Sequence, residues 1–171
     1  MAEKLKRVVV DTSVILDFLV PNDKAKADRA QYLLEGHDTR HTVVLPAIVV
    51  AEIACARSVR APQGIPQAEA QARAAKALAW IRSADFVVAE LSDRTARRAA
   101  QLGIDLNLQA PDASILATAE AWGCPHLYSS DSDLVKCDGQ LGVKIGAPDD
   151  PPQPEPEPAP VPNLFNQGDD E

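Results

Sequence analysis

An α/β sandwich with a mainly parallel central sheet is predicted by three features of this chain of 171 residues. Short, β-branched, wholly apolar runs such as Val8-Val9-Val10 read as strands buried on both faces, as parallel strands are. Longer segments with helical patterning separate those runs, which is the alternation that β-α-β units require. Acids and hydroxyl residues follow the apolar runs, where helices would begin. The expected architecture is a three-layer α/β/α sandwich.

The elements follow in order. Residues 7–10 form the first strand, and Thr12-Ser13 offer capping hydroxyls before an apolar segment that Pro21-Asn22 breaks. Lys24 to Leu34 is helical, with Gly36 as its stop. Thr42 to Leu45 is a second strand. Pro46 suits the first position of a helix running over 47–58, which carries Glu52. A loop at 61–66 leads into an Ala-, Gln- and Arg-rich helix from Gln67 to Ser83. Phe86 to Val88 reads as a strand, and Ser92 or Asp93 caps a helix from Arg94 to Leu102, with Gly103 past its end. Pro111 precedes a helix from Asp112 to Trp122, closed by Gly123. Leu127 to Ser129 and Val143 to Ile145 complete the strands.

Composition narrows the class. The chain is 46% apolar and 4% aromatic, long enough for one domain with a sizeable core. No apolar run has the length of a bilayer span, and no signal peptide is expected. Cys55, Cys124 and Cys137 lack any CxxC or metal-like spacing, so free thiols in a reducing cytoplasm are expected. The formal charge of −8 is unevenly spread. Residues 148–171 hold seven acids and no Lys or Arg; removing them from the total of 25 leaves 18 acids against 17 basic residues. A near-neutral domain over 1–147 thus precedes an acidic tail over 148–171. The tail has eight of the 14 prolines and too few apolar groups for a core, so extended, disordered chain is expected there. Val161 to Phe165 is its one stretch suited to docking on a partner or a neighbouring subunit.

Asp11 and Asp131 lie at strand exits, Asp112 at a helix start and Glu52 on an apolar helix, with Asp133 close behind Asp131. Sites in open α/β sheets form outside the carboxyl ends of strands. Clustered carboxylates repel one another, and a hard divalent cation such as Mg²⁺ or Mn²⁺ is their natural partner. Metal-assisted phosphodiester hydrolysis uses such a set. Each acid has a plainer reading: Asp11 and Asp112 as helix caps, Asp131-Ser132-Asp133 as a turn, Glu52 as a structural helical acid.

The ordered set resembles PIN-domain ribonucleases, particularly the VapC-like toxins of bacterial type II toxin–antitoxin modules. The resemblance rests on Val8-Val9-Val10-Asp11-Thr12-Ser13-Val14-Ile15, Pro46-Ala47-Ile48-Val49-Val50-Ala51-Glu52-Ile53, Pro111-Asp112-Ala113-Ser114-Ile115-Leu116-Ala117-Thr118-Ala119 and Leu127-Tyr128-Ser129-Ser130-Asp131-Ser132-Asp133-Leu134. It spans roughly residues 7–147 and leaves the acidic tail outside. It implies that Asp11, Glu52, Asp112 and Asp131 are catalytic metal-binding acids and that Asp133 is a secondary one. It also implies supporting hydroxyls at Thr12, Ser13 and Ser129. Leu134 departs from the Phe frequent at that position.

The resemblance implies Mg²⁺- or Mn²⁺-dependent cleavage of RNA, dimerisation and inhibition by an antitoxin protein. Phosphate contacts would come from basic side chains around the groove. Arg57, Arg60, Arg73, Arg94, Arg97 and Arg98 are the candidates, and Arg94, Arg97 and Arg98 share one helix face at i, i+3 and i+4. For each of them a solvated helix face is the plainer expectation. Rival readings are an aspartyl phosphatase or phosphotransferase, which Ser13 disfavours where a second Asp is usual, and a receiver-like phosphoacceptor, which lacks an early acid pair. A PIN-like RNA-processing nuclease outside a toxin–antitoxin pair and a non-catalytic PIN-like binding module are the remaining alternatives.

Overall fold

The computed structural model describes residues 5–60 and 64–153. Valine-rich segments place consecutive side chains on opposite faces of a strand. In β1 (Arg7–Val10) and β2 (Thr42–Pro46), Val8, Val9, Val10, Val43, Val44 and Leu45 are all buried, so both faces of the sheet are covered. With β3 (Val87–Ala89), β4 (His126–Tyr128) and β5 (Lys144–Gly146), they form one sheet in the order β3-β2-β1-β4-β5. Every neighbouring pair is parallel. The predicted α/β sandwich is the observed fold.

The helices are α1 (Thr12–Leu19), α2 (Lys24–Leu34), α3 (Ala47–Cys55), α4 (Arg57–Arg60), α5 (Gln67–Ser83), α6 (Asp93–Leu106), α7 (Ala110–Ala121) and α8 (Ser132–Val135). Helix α7 is the most enclosed, with every residue from Ala113 to Ala119 buried. Small side chains permit that close approach, and its two buried hydroxyls turn back on the helix. Ser114 donates to the Ala110 carbonyl at 2.7 Å and Thr118 to that of Ser114 at 2.8 Å. Ile15, Ile53, Ile115 and Leu127 are fully enclosed, and truncating any one to Ala would cost about 2–5 kcal/mol.

Four expectations are corrected. The helix expected over 47–58 ends at Cys55: Ala56 turns extended with ψ 132°, and α4 starts afresh. Arg73 then donates to the Val59 carbonyl, one of the orphan acceptors of that short helix. Helix α6 runs through Gly103, and Asn107, left-handed at φ 53°, ends it. Gly103 serves a close approach instead, since a Cβ there would lie 3.3 Å from the Leu108 carbonyl oxygen. The last three strands are each displaced one residue from expectation. Asp131 and Ser132 open α8 rather than a simple turn.

The tail beyond 153 and the loop at 61–63 lie outside the described residues, so the disorder expected of the tail is not addressed by the fold. The segment just before it returns to the domain, where Arg29 Nε of α2 donates to Asp150 Oδ1 at 2.5 Å. Among the described residues no helix is long and apolar enough to cross a membrane.

Candidate active site at the sheet switch point

The strand order reverses direction between β1 and β4, and a crevice opens there at the carboxyl ends. Asp11 follows β1 and Asp131 follows β4 across that point. Both are also helix N-caps. Asp11 accepts from the Thr12 and Ser13 amides of α1, and Asp131 from the Asp133 amide of α8 at 2.7 Å. Capping and site formation therefore coincide in the same side chains. Glu52 reaches the crevice from α3, and Asp112 from the first turn of α7.

Hydroxyls stitch the acids together. Ser129, fully buried, donates to Asp11 Oδ2 at 2.8 Å and accepts from the Asp131 amide at 2.9 Å. Ser13 donates to the same Asp11 oxygen at 2.7 Å and accepts from the Ser130 amide at 3.0 Å. Thr12 donates to Glu52 Oε2 at 2.5 Å. Asp11 is 5% exposed, and these donors offset the desolvation of its charge. All three hydroxyls expected to support the acids touch one of them.

Burial, followed by the charges of Asp131, Asp11, Glu52 and Asp133, pushes the Asp112 carboxyl up to about 6. All four of those acids lie near enough to Asp112 to raise it. Among the described residues, none of Asp11, Glu52, Asp112 and Asp131 has a salt-bridge partner. No three His, Cys, Asp or Glu side chains there stand close enough to ligate one ion as placed. The donor chemistry nonetheless fits a hard divalent ion, being carboxylate and hydroxyl oxygen without thiolate or imidazole.

Asp133 differs from the other four. Lys136 Nζ donates to its Oδ1 at 2.7 Å. Lys136 stands at i+3 from Asp133, a spacing that on a helix brings the two side chains together. The arginines scatter. Arg98 of α6 makes a bidentate pair with Glu120 of α7, and Arg97 pairs with Asp93. Arg94 is exposed on α6, whereas Arg57 lies on α4.

A family model for the PIN domain matches residues 8–140. The chain belongs to the PIN-domain family. Toxins of VapBC modules are among the solved structures this PIN chain resembles. Mycobacterium tuberculosis VapC20, a sarcin-ricin loop cleaving toxin, aligns at TM-score 0.60 and 19% identity over 76% of this chain and 94% of its own. A toxin–antitoxin complex from Klebsiella pneumoniae aligns at 0.54 and 23%, over 80% and 94% respectively. VapBC2 from Rickettsia felis, bound to a promoter DNA fragment, aligns at 0.56 and 13%, over 84% and 99%. At these identities the likeness carries the fold. No curated protein matches the chain.

Proposed function

We propose that this PIN protein is a divalent-metal-dependent endoribonuclease acting as the toxin of a type II toxin–antitoxin module. The observation that carries the reading is Asp112, whose carboxyl is pushed up to about 6 by burial and four neighbouring acids. Side chains from α3, α7 and the ends of β1 and β4 would converge at such cost only for a positively charged guest. Family membership and the toxins among its structural neighbours support the same reading.

Asp11, Glu52, Asp112 and Asp131 would hold Mg²⁺ or Mn²⁺, which supplies Lewis acidity and positive charge against the phosphodiester. Asp11 is oriented by Ser13 and Ser129, and Glu52 by Thr12, so neither can rotate freely away from the crevice. A carboxylate of this set not fully engaged by the ion would orient the attacking water or accept its proton. Asp133, held by Lys136, borders the site as a secondary ligand. Cytoplasmic RNA, an antitoxin protein and a second copy of the chain are the partners that follow. The nuclease domain is placed at 1–147, with 148–171 as an appended tail.

The test is cleavage of total cellular RNA by the full chain, freed of antitoxin, with Mn²⁺, with EDTA and with Asp112→Asn. Discrete fragments seen only with metal and the intact carboxylate are expected. Equal cleavage in EDTA, or by the variant, would refute the assignment. A protein encoded beside this one that co-purifies and blocks cleavage would mark the toxin role.

A further inference from the structure

Away from the carboxylates, the end of α1, α4 and α5 enclose a groove of about 450 Å³. Leu19, Val20, Val59 and Trp80 line it, with Arg73 and Lys76 as its cations and Glu69 as its acid. Trp80 is part-buried and leans on Phe18, ring centroids 5.0 Å apart. Arg73 is held in place by the Val59 carbonyl at 2.9 Å, which orients its charge without neutralising it. Among the described residues, neither Arg73 nor Lys76 has a salt-bridge partner. Apart from Arg73, one of the candidates for phosphate contact, the nuclease reading uses none of this surface.

A tryptophan flanked by aliphatic walls and unpaired cations suits an acidic, proline-rich strand. Such a strand is already near polyproline II, so little ordering entropy opposes its docking on an aromatic groove. This chain carries one. Residues 154–158 read Pro-Glu-Pro-Glu-Pro, and 161–165 read Val-Pro-Asn-Leu-Phe. The Arg29–Asp150 pair secures the start of that segment on α2, whose first residue follows the groove residue Val20 after a short turn. Along α2, Arg29 lies only about 8 Å from Lys24 at the helical rise per residue. From Gln153 to Val161, polyproline II chain spans roughly 25 Å. The groove is within reach.

We propose that residues 154–165 dock in cis at this groove, with Leu164 and Phe165 against Trp80 and the preceding acidic stretch drawn to the side of the groove that carries Arg73 and Lys76. A short tether gives an effective concentration on the order of millimolar, so modest contacts keep the segment docked. The inference does not depend on the nuclease reading.

Trp122→Phe leaves Trp80 as the sole tryptophan of the full chain, and acrylamide quenching then reports on the groove. Adding Leu164→Ser and Phe165→Ser, which alter no described contact, should raise the quenching constant about twofold. Arg73→Glu with Lys76→Glu should raise it as well, and a synthetic peptide of residues 154–171 should restore protection to the serine variant. Identical quenching with and without the two serines would overturn the proposal. So would protection that disappears on dilution, which would place the segment on a second copy. Protection supplied by added RNA and indifferent to the tail would reassign the groove to nucleic acid.

Discussion

Helix α7 carries a carboxylate at each end, and the two have opposite surroundings. Glu120 in the last turn accepts from Arg98 Nε at 2.6 Å and Nη2 at 2.9 Å, and that pair holds its carboxyl below its ordinary value. Asp112 in the first turn meets burial and four acids, and is pushed up to about 6. The helix dipole favours the reverse, stabilising an anion at the N-terminus and opposing one at the C-terminus, by about 0.3–1 kcal/mol. Local charge and burial outweigh it at both ends. One helix thus separates an acid paired with an arginine from an acid raised by burial and by its acidic neighbours.

Substitution at the two ends should break the symmetry most strongly. Asp112→Asn is expected to reduce RNA cleavage more than about 100-fold, the scale of losing a carboxylate that holds the ion or accepts the proton. Glu120→Gln should leave kcat/KM within about twofold. Equal losses would mean that α7 contributes architecture alone.

Cation binding sharpens the same contrast. Mg²⁺ or Mn²⁺ at ten times its dissociation constant should stabilise the wild-type protein by about 1.4 kcal/mol, read as a rise in Tm. Asp112→Asn should lose most of that rise and Glu120→Gln none of it. A rise preserved in Asp112→Asn would remove Asp112 from the metal site.

Acid pH should move the two ends in opposite directions in metal-free protein. The Asp112 carboxyl is raised from 3.8 to about 6, so the folded state binds its proton more tightly. Its relative contribution to stability is present below about 4 and lost as pH rises through 6, on the order of 1 kcal/mol after allowing for solvent screening. Glu120 is lowered from 4.5, so its contribution is present above that value and lost as pH falls. The difference in Tm between Asp112→Asn and wild type, followed from pH 4 to 8, should therefore grow with pH. A constant difference would contradict the raised carboxyl.

The smallest effects concern the arginine face. Arg98→Ala should lower stability by roughly 0.5–1 kcal/mol through its part-exposed pair with Glu120, and Arg97→Ala by less. Chemical denaturation measures both. If the salt dependence of RNA binding also flattens in either variant, that side chain meets phosphate as well.

Much of this was legible in the chain. Val8-Val9-Val10 followed by Asp11 marked a buried strand ending in an acid, and Pro111-Asp112 marked a helix start, because strand and helix boundaries obey local rules. Gly103 misled because the same residue that ends helices also permits close approach, here to the Leu108 carbonyl. Phe86 reads as strand from its apolar neighbours, because burial is shared by strand and turn. It packs on Trp80 and His37 just before the ladder begins. The break at Ala56 left no local sign.

The sequence by itself determined the α/β class, the acids at strand ends and helix starts, and the hydroxyls beside them, since those follow from periodicity and capping chemistry within a few residues. Only the tertiary structure decided that Ser129 would bridge Asp11 to the Asp131 amide. It also decided that Arg98 would be engaged by Glu120, 22 residues away, while Asp112 has no salt-bridge partner among the described residues. Charge interactions act through space and fall off with distance between side chains, and the folded chain alone sets those distances.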